Sequence, residues 1–113
     1  MNKKQIRNSF RNEVFKRDKY KCVICKKSGK CRQTGEFQNE PVCFLDAHHI
    51  TNRDDMPNGG YHKSNGITLC DDCHIEAERF LSNQSTNVKF SPETLYKKIG
   101  SSYKLSYKSS GGK

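Results

Sequence analysis

Four of the six cysteines stand in two matched pairs, Cys22-x-x-Cys25 and Cys70-x-x-Cys73, with 44 residues between the pairs. Each C-x-x-C turn can aim two thiolates at one point, and two such turns complete the tetrahedral sulfur shell of a closed structural zinc site. A redox role for either pair would need a βαβ setting, which the surrounding sequence lacks. A competing zinc set, Cys22, Cys25, Cys31 and Cys43, would leave Cys70 and Cys73 unused. The matched pairs are preferred because Cys31 and Cys43 share no turn and sit in dissimilar contexts; they read as a loop thiol and a strand thiol.

Three of the four histidines lie close to this scaffold: His48 and His49 together, and His74 directly after Cys73. Neighbouring side chains on a strand point to opposite faces, so His48 and His49 do not ligate one ion from regular geometry. A division of labour is open to them, with one holding a divalent metal and the other taking a proton near neutral pH. Taken alone, the pair also fits two ordinary surface histidines. His62, in a Gly-rich loop with no supporting spacing, reads as a loop residue.

These residues need elements to hold them. Ile6, Phe10, Val14 and Phe15 recur at near-helical spacing between Gln5 and Arg17 and predict an amphipathic helix. Gly35 marks a turn. PVCFLDAHHI, from Pro41 to Ile50, predicts a strand that runs into the histidine pair. Thr51 to Asn65 carries Pro57, Gly59 and Gly60 and reads as a loop. Gly66 to Cys70 is a short apolar strand, and a helix then begins near Asp71 and runs to about Ser82, with Ile75, Ala77, Phe80 and Leu81 as its buried stripe. Ser91-Pro92-Glu93 starts a short helix that Gly100 closes. Residues 101–113, low in complexity and rich in lysine, read as a flexible basic tail, which leaves one domain over 1–100.

The order His48-His49, Asn65, Cys73-His74, framed by the two cysteine pairs, resembles the HNH endonuclease family. The likeness runs from about Arg11 to Phe80 and rests on three segments: R-x-x-V-F-K-R-D-K-Y-K-C-x-x-C, A-H-H-I and N-G-I-T-L-C-x-x-C-H. It implies a small α+β protein with a ββα-metal, treble-clef-like core over about 11–82, flanked by an N-terminal and a short C-terminal helix and stapled by a four-cysteine zinc. It implies hydrolysis of DNA phosphodiester bonds with one divalent ion, Mg2+, Mn2+, Ni2+ or Zn2+. Carried over residue by residue, the pattern makes His48 and His74 ligands of that ion and His49 the general base, while Asn65 either orients the loop carrying the base, the favoured role, or approaches the metal. A third ligand would be Glu78, four residues after His74 on one helical face, or Asp46, two before His48 on one strand face. Family analogy further suggests a phage packaging or restriction setting and a targeting protein as partner. The alternative is a non-catalytic zinc module binding nucleic acid or protein, which would need the cysteines but not three histidines.

Composition agrees with this reading. The chain has 113 residues, of which 32% are hydrophobic and none is Trp, enough for one small domain with a thin core that calls for a staple. No apolar run approaches the roughly 20 residues of a membrane helix and the first 20 residues lack a secretory pattern, so a cytoplasmic, reducing setting is expected, where cysteines more often hold metal than pair. The net charge of +9 is unevenly placed. Residues 1–30 hold eleven Lys/Arg against two acids, residues 31–90 five against nine, and residues 91–113 five against one. Two basic flanks around an acidic middle suit a polyanion at the ends and a cation at the centre. Tyr20, Tyr103 and Tyr107 could stack on bases, but equally read as ordinary solvated tyrosines.

Overall fold

The computed structural model describes residues 2–26, 29–31 and 43–112, with the backbone alone at 29–31, 43 and 44. The turn expected at Gly35, the start of the strand expected from Pro41, and the thiols of Cys31 and Cys43 lie outside the described residues. Helix α1 (Lys3–Arg17) is followed by β1 (Gly29–Cys31), β2 (Cys43–His49), β3 (Gly66–Cys70), α2 (Asp71–Leu81), α3 (Pro92–Lys98) and α4 (Tyr103–Ser109). The strands form one sheet in the order β1-β2-β3, with β1 parallel to β2 and β2 antiparallel to β3. The ββα core expected from the sequence is therefore β2, β3 and α2.

Helix α1 starts two residues earlier than its apolar stripe predicts because Asn2 and Gln5 close a capping box, each side chain bonded to the other's backbone N–H at 2.9 Å. Its buried stripe of Phe10, Val14 and Phe15 lies against the sheet. The approach is close at Gly66, where a Cβ would stand 2.7 Å from Phe10 Cζ and overlap Val14 Cγ2. The end of α1 is tied down by polar groups. The Arg17 guanidinium donates to the carbonyls of Lys63 and Gly66, both at 2.6 Å, and Asp18 accepts from the Thr68 N–H at 2.9 Å.

The register pairs His49 with Gly66 and His48 with Ile67. Strand alternation therefore sends His49 to the face covered by α1 and His48 to the face covered by α2. All five residues of β3 are buried, consistent with cover on both faces. The core combines Phe15, Leu45, Ile50, Ile67, Leu69 and Ala77 with Phe90, Leu95 and Tyr96 from the C-terminal third. On α2, Cys73 and Ala77 are buried and Phe80 packs on the core, whereas Ile75 is 57% exposed. Ile75 sits about 200° around the helix from Cys73, so it drops out of the expected stripe.

Two further expectations are revised. Thr51–Asn65 is not featureless: it makes short 3-10 turns at Arg53–Asp55 and Lys63–Asn65, and between them Pro57–Gly60 bends through left-handed backbone at Asn58 and Gly59. Nor is the lysine-rich end an unstructured tail, since α4 forms there. Ser102 caps it by accepting from the Leu105 N–H at 3.1 Å, and Ser106 is small enough to be fully buried near Met56. Asn58 Nδ2 donates to the Ser110 carbonyl and Ser101 Oγ to the Ser64 carbonyl, each at 2.8 Å, so α4 closes onto the turns after β2. A lysine-rich composition concealed a helix whose contacts are made by serines. No helix among the described residues is long and apolar enough to cross a membrane.

Candidate metal centres and active site

The first knuckle follows α1, with Val23 N–H donating to the Thr68 carbonyl at 3.0 Å. This bond sets Cys22 and Cys25 beside the end of β3, where Cys70 closes the strand and Cys73 lies in the first turn of α2. One sulfur from each of the four cysteines lies within 4.8 Å of the others, and Cys25 Sγ is 3.5 Å from Cys70 Sγ. A tetrahedral shell with Zn–S of about 2.3 Å has edges of about 3.8 Å, so the spread fits one zinc. No disulfide links these four cysteines. Burial opposes ionisation at Cys22, yet the backbone N–H groups of Cys25, Cys70 and Ile24 hold its thiol below the usual range. Burial, then the neighbouring Cys70 and Cys22 sulfurs, push the Cys73 thiol up. Four crowded thiols of such unequal acidity are best satisfied by a shared cation, which keeps all four deprotonated.

A second convergence lies between β2 and α2. Nitrogens of His48 and His74 and a carboxylate oxygen of Glu78 fall within 4.8 Å of one another. Glu78 Oε1 is 3.2 Å from His74 Nε2 and 3.3 Å from His48 Nδ1. His48 is only 2% exposed, and neither ring nitrogen has an aligned hydrogen-bond partner among the described residues. A buried imidazole met only by an unaligned carboxylate costs free energy unless something else satisfies its nitrogens. Two imidazoles and a carboxylate meeting at one point suit a borderline or hard divalent ion. Burial pushes His48 below its ordinary pKa, which favours the neutral, ligating form. His48 and His74 beside Glu78 lower its carboxyl pKa.

Asp46 stands behind His74 rather than in this cluster. Its Oδ2 lies 3.2 Å from His74 Nδ1, and this bond is the main reason why the His74 pKa is raised. A carboxylate on one ring nitrogen fixes the ring and turns the other nitrogen toward an ion.

His49 occupies the opposite face. Its ring stacks on Phe10 with centroids 4.5 Å apart and meets Tyr61 edge-on at 4.8 Å. Tyr61 in turn accepts from Arg53 at 3.1 Å. Burial and then the Arg53 charge depress the His49 pKa to about 4, so the ring is neutral at pH 7. His48, His49, His74 and Glu78 line one open cleft of about 430 Å³, beside Asp46, Tyr61 and Arg53.

Asn65 is fully buried and outside both clusters. Its Oδ1 accepts from the Thr51 N–H at 3.0 Å and the Tyr96 hydroxyl at 2.8 Å, while its Nδ2 donates to the carbonyls of Thr51 at 3.1 Å and Gly60 at 3.2 Å. Thr51 Oγ1 adds a 2.7 Å bond to the Tyr96 hydroxyl. One side chain thus ties both ends of the segment following His49 to α3. Asn65→Ala would strand several of these groups and is expected to cost at least about 2 kcal/mol in a denaturant titration. His62 lies away from the cleft lining and its Nδ1 accepts from the Ser64 N–H at 3.1 Å, capping a turn.

Residue types and spacing alone did not single out Phe10, Tyr61, Tyr96 or Thr51 as parts of this centre. Phe10 read as an ordinary core residue of α1, and only its place opposite β2 shows that it touches His49. Tyr96 carried no spacing signal because its partner is 31 residues away.

Neither a curated protein nor a solved structure matches the chain. The family model described as HNH endonuclease matches residues 22–81, just over half of the chain, from the first zinc-type knuckle to the end of α2. Both cysteine pairs, the histidine pair, Asn65, His74 and Glu78 fall inside that stretch, in order, and on that match the chain belongs to the HNH endonuclease family.

Proposed function

We propose that this protein is a DNA endonuclease that uses one divalent ion at His48, His74 and Glu78, His49 as general base, and a structural zinc at Cys22, Cys25, Cys70 and Cys73. Membership of the family supports nuclease-type activity on nucleic acid in general. The observation that carries the finer reading is that the His48, His74 and Glu78 cluster and the separately held His49 open onto one cleft.

The labour divides as strand alternation requires. A divalent ion at this cluster supplies positive charge for the scissile phosphate and for the departing 3′ oxygen. Phe10 and Tyr61 hold the His49 imidazole from its face and its edge, in the neutral form able to accept a proton from the attacking water. Asn65 fixes the backbone at Thr51, two residues beyond the base, and so acts as a positioning residue. Asp46 holds His74 in the orientation that presents Nε2 to the cluster. The products are a 5′-phosphate and a 3′-hydroxyl. The catalytic unit extends through α3 and α4, because α3 supplies Tyr96 to Asn65 and α4 closes on the turns that follow His49.

Incubation of supercoiled plasmid with the zinc-loaded protein and Mg2+, Mn2+, Ni2+ or Zn2+ tests the reading. Nicked or linear product should accumulate with at least one ion and stop on chelation. A protein that binds DNA but cuts with none of the four would instead be a non-catalytic zinc module. The ligand assignment is checked by metal titration. His74→Ala and Glu78→Gln should each weaken binding of the second ion by about 100-fold or more. Asp46→Asn, which disturbs only the partner behind His74, should cost about 10- to 100-fold. Equal loss from all three variants would move Asp46 into the ligand set.

A further inference from the structure

We propose that α1, which precedes the family-matched stretch, is the substrate-binding wall of the active site, with Arg7 and Arg11 holding the DNA backbone beside the scissile phosphate and Arg53 facing it from the turn after β2. The proposal rests on the nuclease reading and deepens it by naming the groups that take the phosphates. Both α1 arginines line the cleft that holds His48, His49, His74 and Glu78, and Arg53 lines it from a separate segment. They are four residues apart, hence on one helix face and about 6 Å apart along the axis. The same cleft is lined by Asp46 and Glu78, so it combines carboxylates, suited to a cation, with three arginines, suited to a polyanion.

The wall is rigid, which sets these arginines apart from the lysines spread over the surface. Phe10, between them in sequence, stacks on His49, and α1 is seated on Gly66 and tied by Arg17 and Asp18 to the Lys63 and Gly66 carbonyls and the Thr68 N–H. Arg11 is braced by Asn8 Oδ1 at 2.9 Å, and Arg7 Nε donates to the Lys3 carbonyl at 3.4 Å. A guanidinium carries five donors in a planar fork, a geometry that matches phosphate oxygens. Asn8 positions the Arg11 fork as Phe10 positions His49, and both are side chains of one helix.

The test measures binding apart from cleavage. In a His49→Ala background, a fluorescent DNA duplex is titrated with zinc-loaded protein at several salt concentrations between 50 and 200 mM. Arg7→Ala/Arg11→Ala should weaken binding and reduce the slope of log K against log salt by about 1.8, the value for two lost phosphate contacts. Lys97→Ala/Lys98→Ala removes the same charge from α3, outside the cleft lining, and should change the slope far less. Arg7→Lys/Arg11→Lys, which keeps the charge and the helix, should recover most of the slope. Failure of the nuclease reading would show as absent plasmid nicking by the unmodified protein, whatever these slopes are. The proposal is overturned if the arginine-to-alanine pair keeps the parent slope, if the α3 pair lowers it equally, or if the lysine pair fails to restore it.

Discussion

His49→Ala should leave the fold, the zinc and the second metal site in place while reducing plasmid nicking by about 100- to 10,000-fold, the range associated with loss of a positioned general base. Selectivity is expected because of where the ring sits. His48 and His49 are chain neighbours, but the pleat of β2 separates their duties, and His49 contributes nothing to the His48, His74 and Glu78 cluster. What it touches is Phe10 and Tyr61. The substitution opens space between two rings that are themselves held, Phe10 by the seating of α1 and Tyr61 by Arg53. Metal titration of the variant should therefore match the parent and the thermal midpoint should fall only modestly. Nicking at the parent rate would remove His49 from the reaction. Lost metal binding would show instead that His49 acts through the cluster.

The two candidate metal clusters were largely legible in the sequence because such clusters depend on residue type and short-range spacing, both of which survive without a structure. Each C-x-x-C pair states half of a tetrahedron, and the order from His48 to His74 ties the second pair to the histidines. The choice between Glu78 and Asp46 was not legible. Both obey their local periodicity, and only the three-dimensional path puts Glu78 Oε1 between two imidazoles and Asp46 on the far nitrogen of His74. The network around Asn65 lay further out of reach, since Thr51, Gly60 and Tyr96 converge from three segments with no shared spacing. Helix α4 was missed for a different reason. Its polar, repetitive composition carries almost no hydrophobic periodicity, and what anchors it is an N-cap and two buried serines.

Cys70→Ser/Cys73→Ser should abolish retention of the structural zinc and, with it, cooperative folding. In a His74→Ala background the second site is already weakened, so bound zinc reports the cysteine site alone. Zinc per chain is expected to fall from about one to near zero by metal analysis. The far-ultraviolet melt should lose its sharp transition. The scale follows from comparing two terms. Structural zinc in small domains contributes about 10–16 kcal/mol of apparent binding free energy, whereas a whole domain is stable by about 5–15 kcal/mol. Here the metal also has little apolar interior to fall back on, because Cys22, Cys70 and Cys73 are themselves members of the buried core. Without zinc, three buried thiols and the neighbouring Cys25 would have to pack as weakly polar groups, at the junction where the first knuckle, β3 and α2 meet. That junction also sets the start of α2, and so where His74 and Glu78 are presented. Loss of zinc should therefore silence the nuclease at a distance from its chemistry. A variant that keeps its zinc, or that loses it and still melts cooperatively at the parent temperature, would show that the four thiols do not staple this fold.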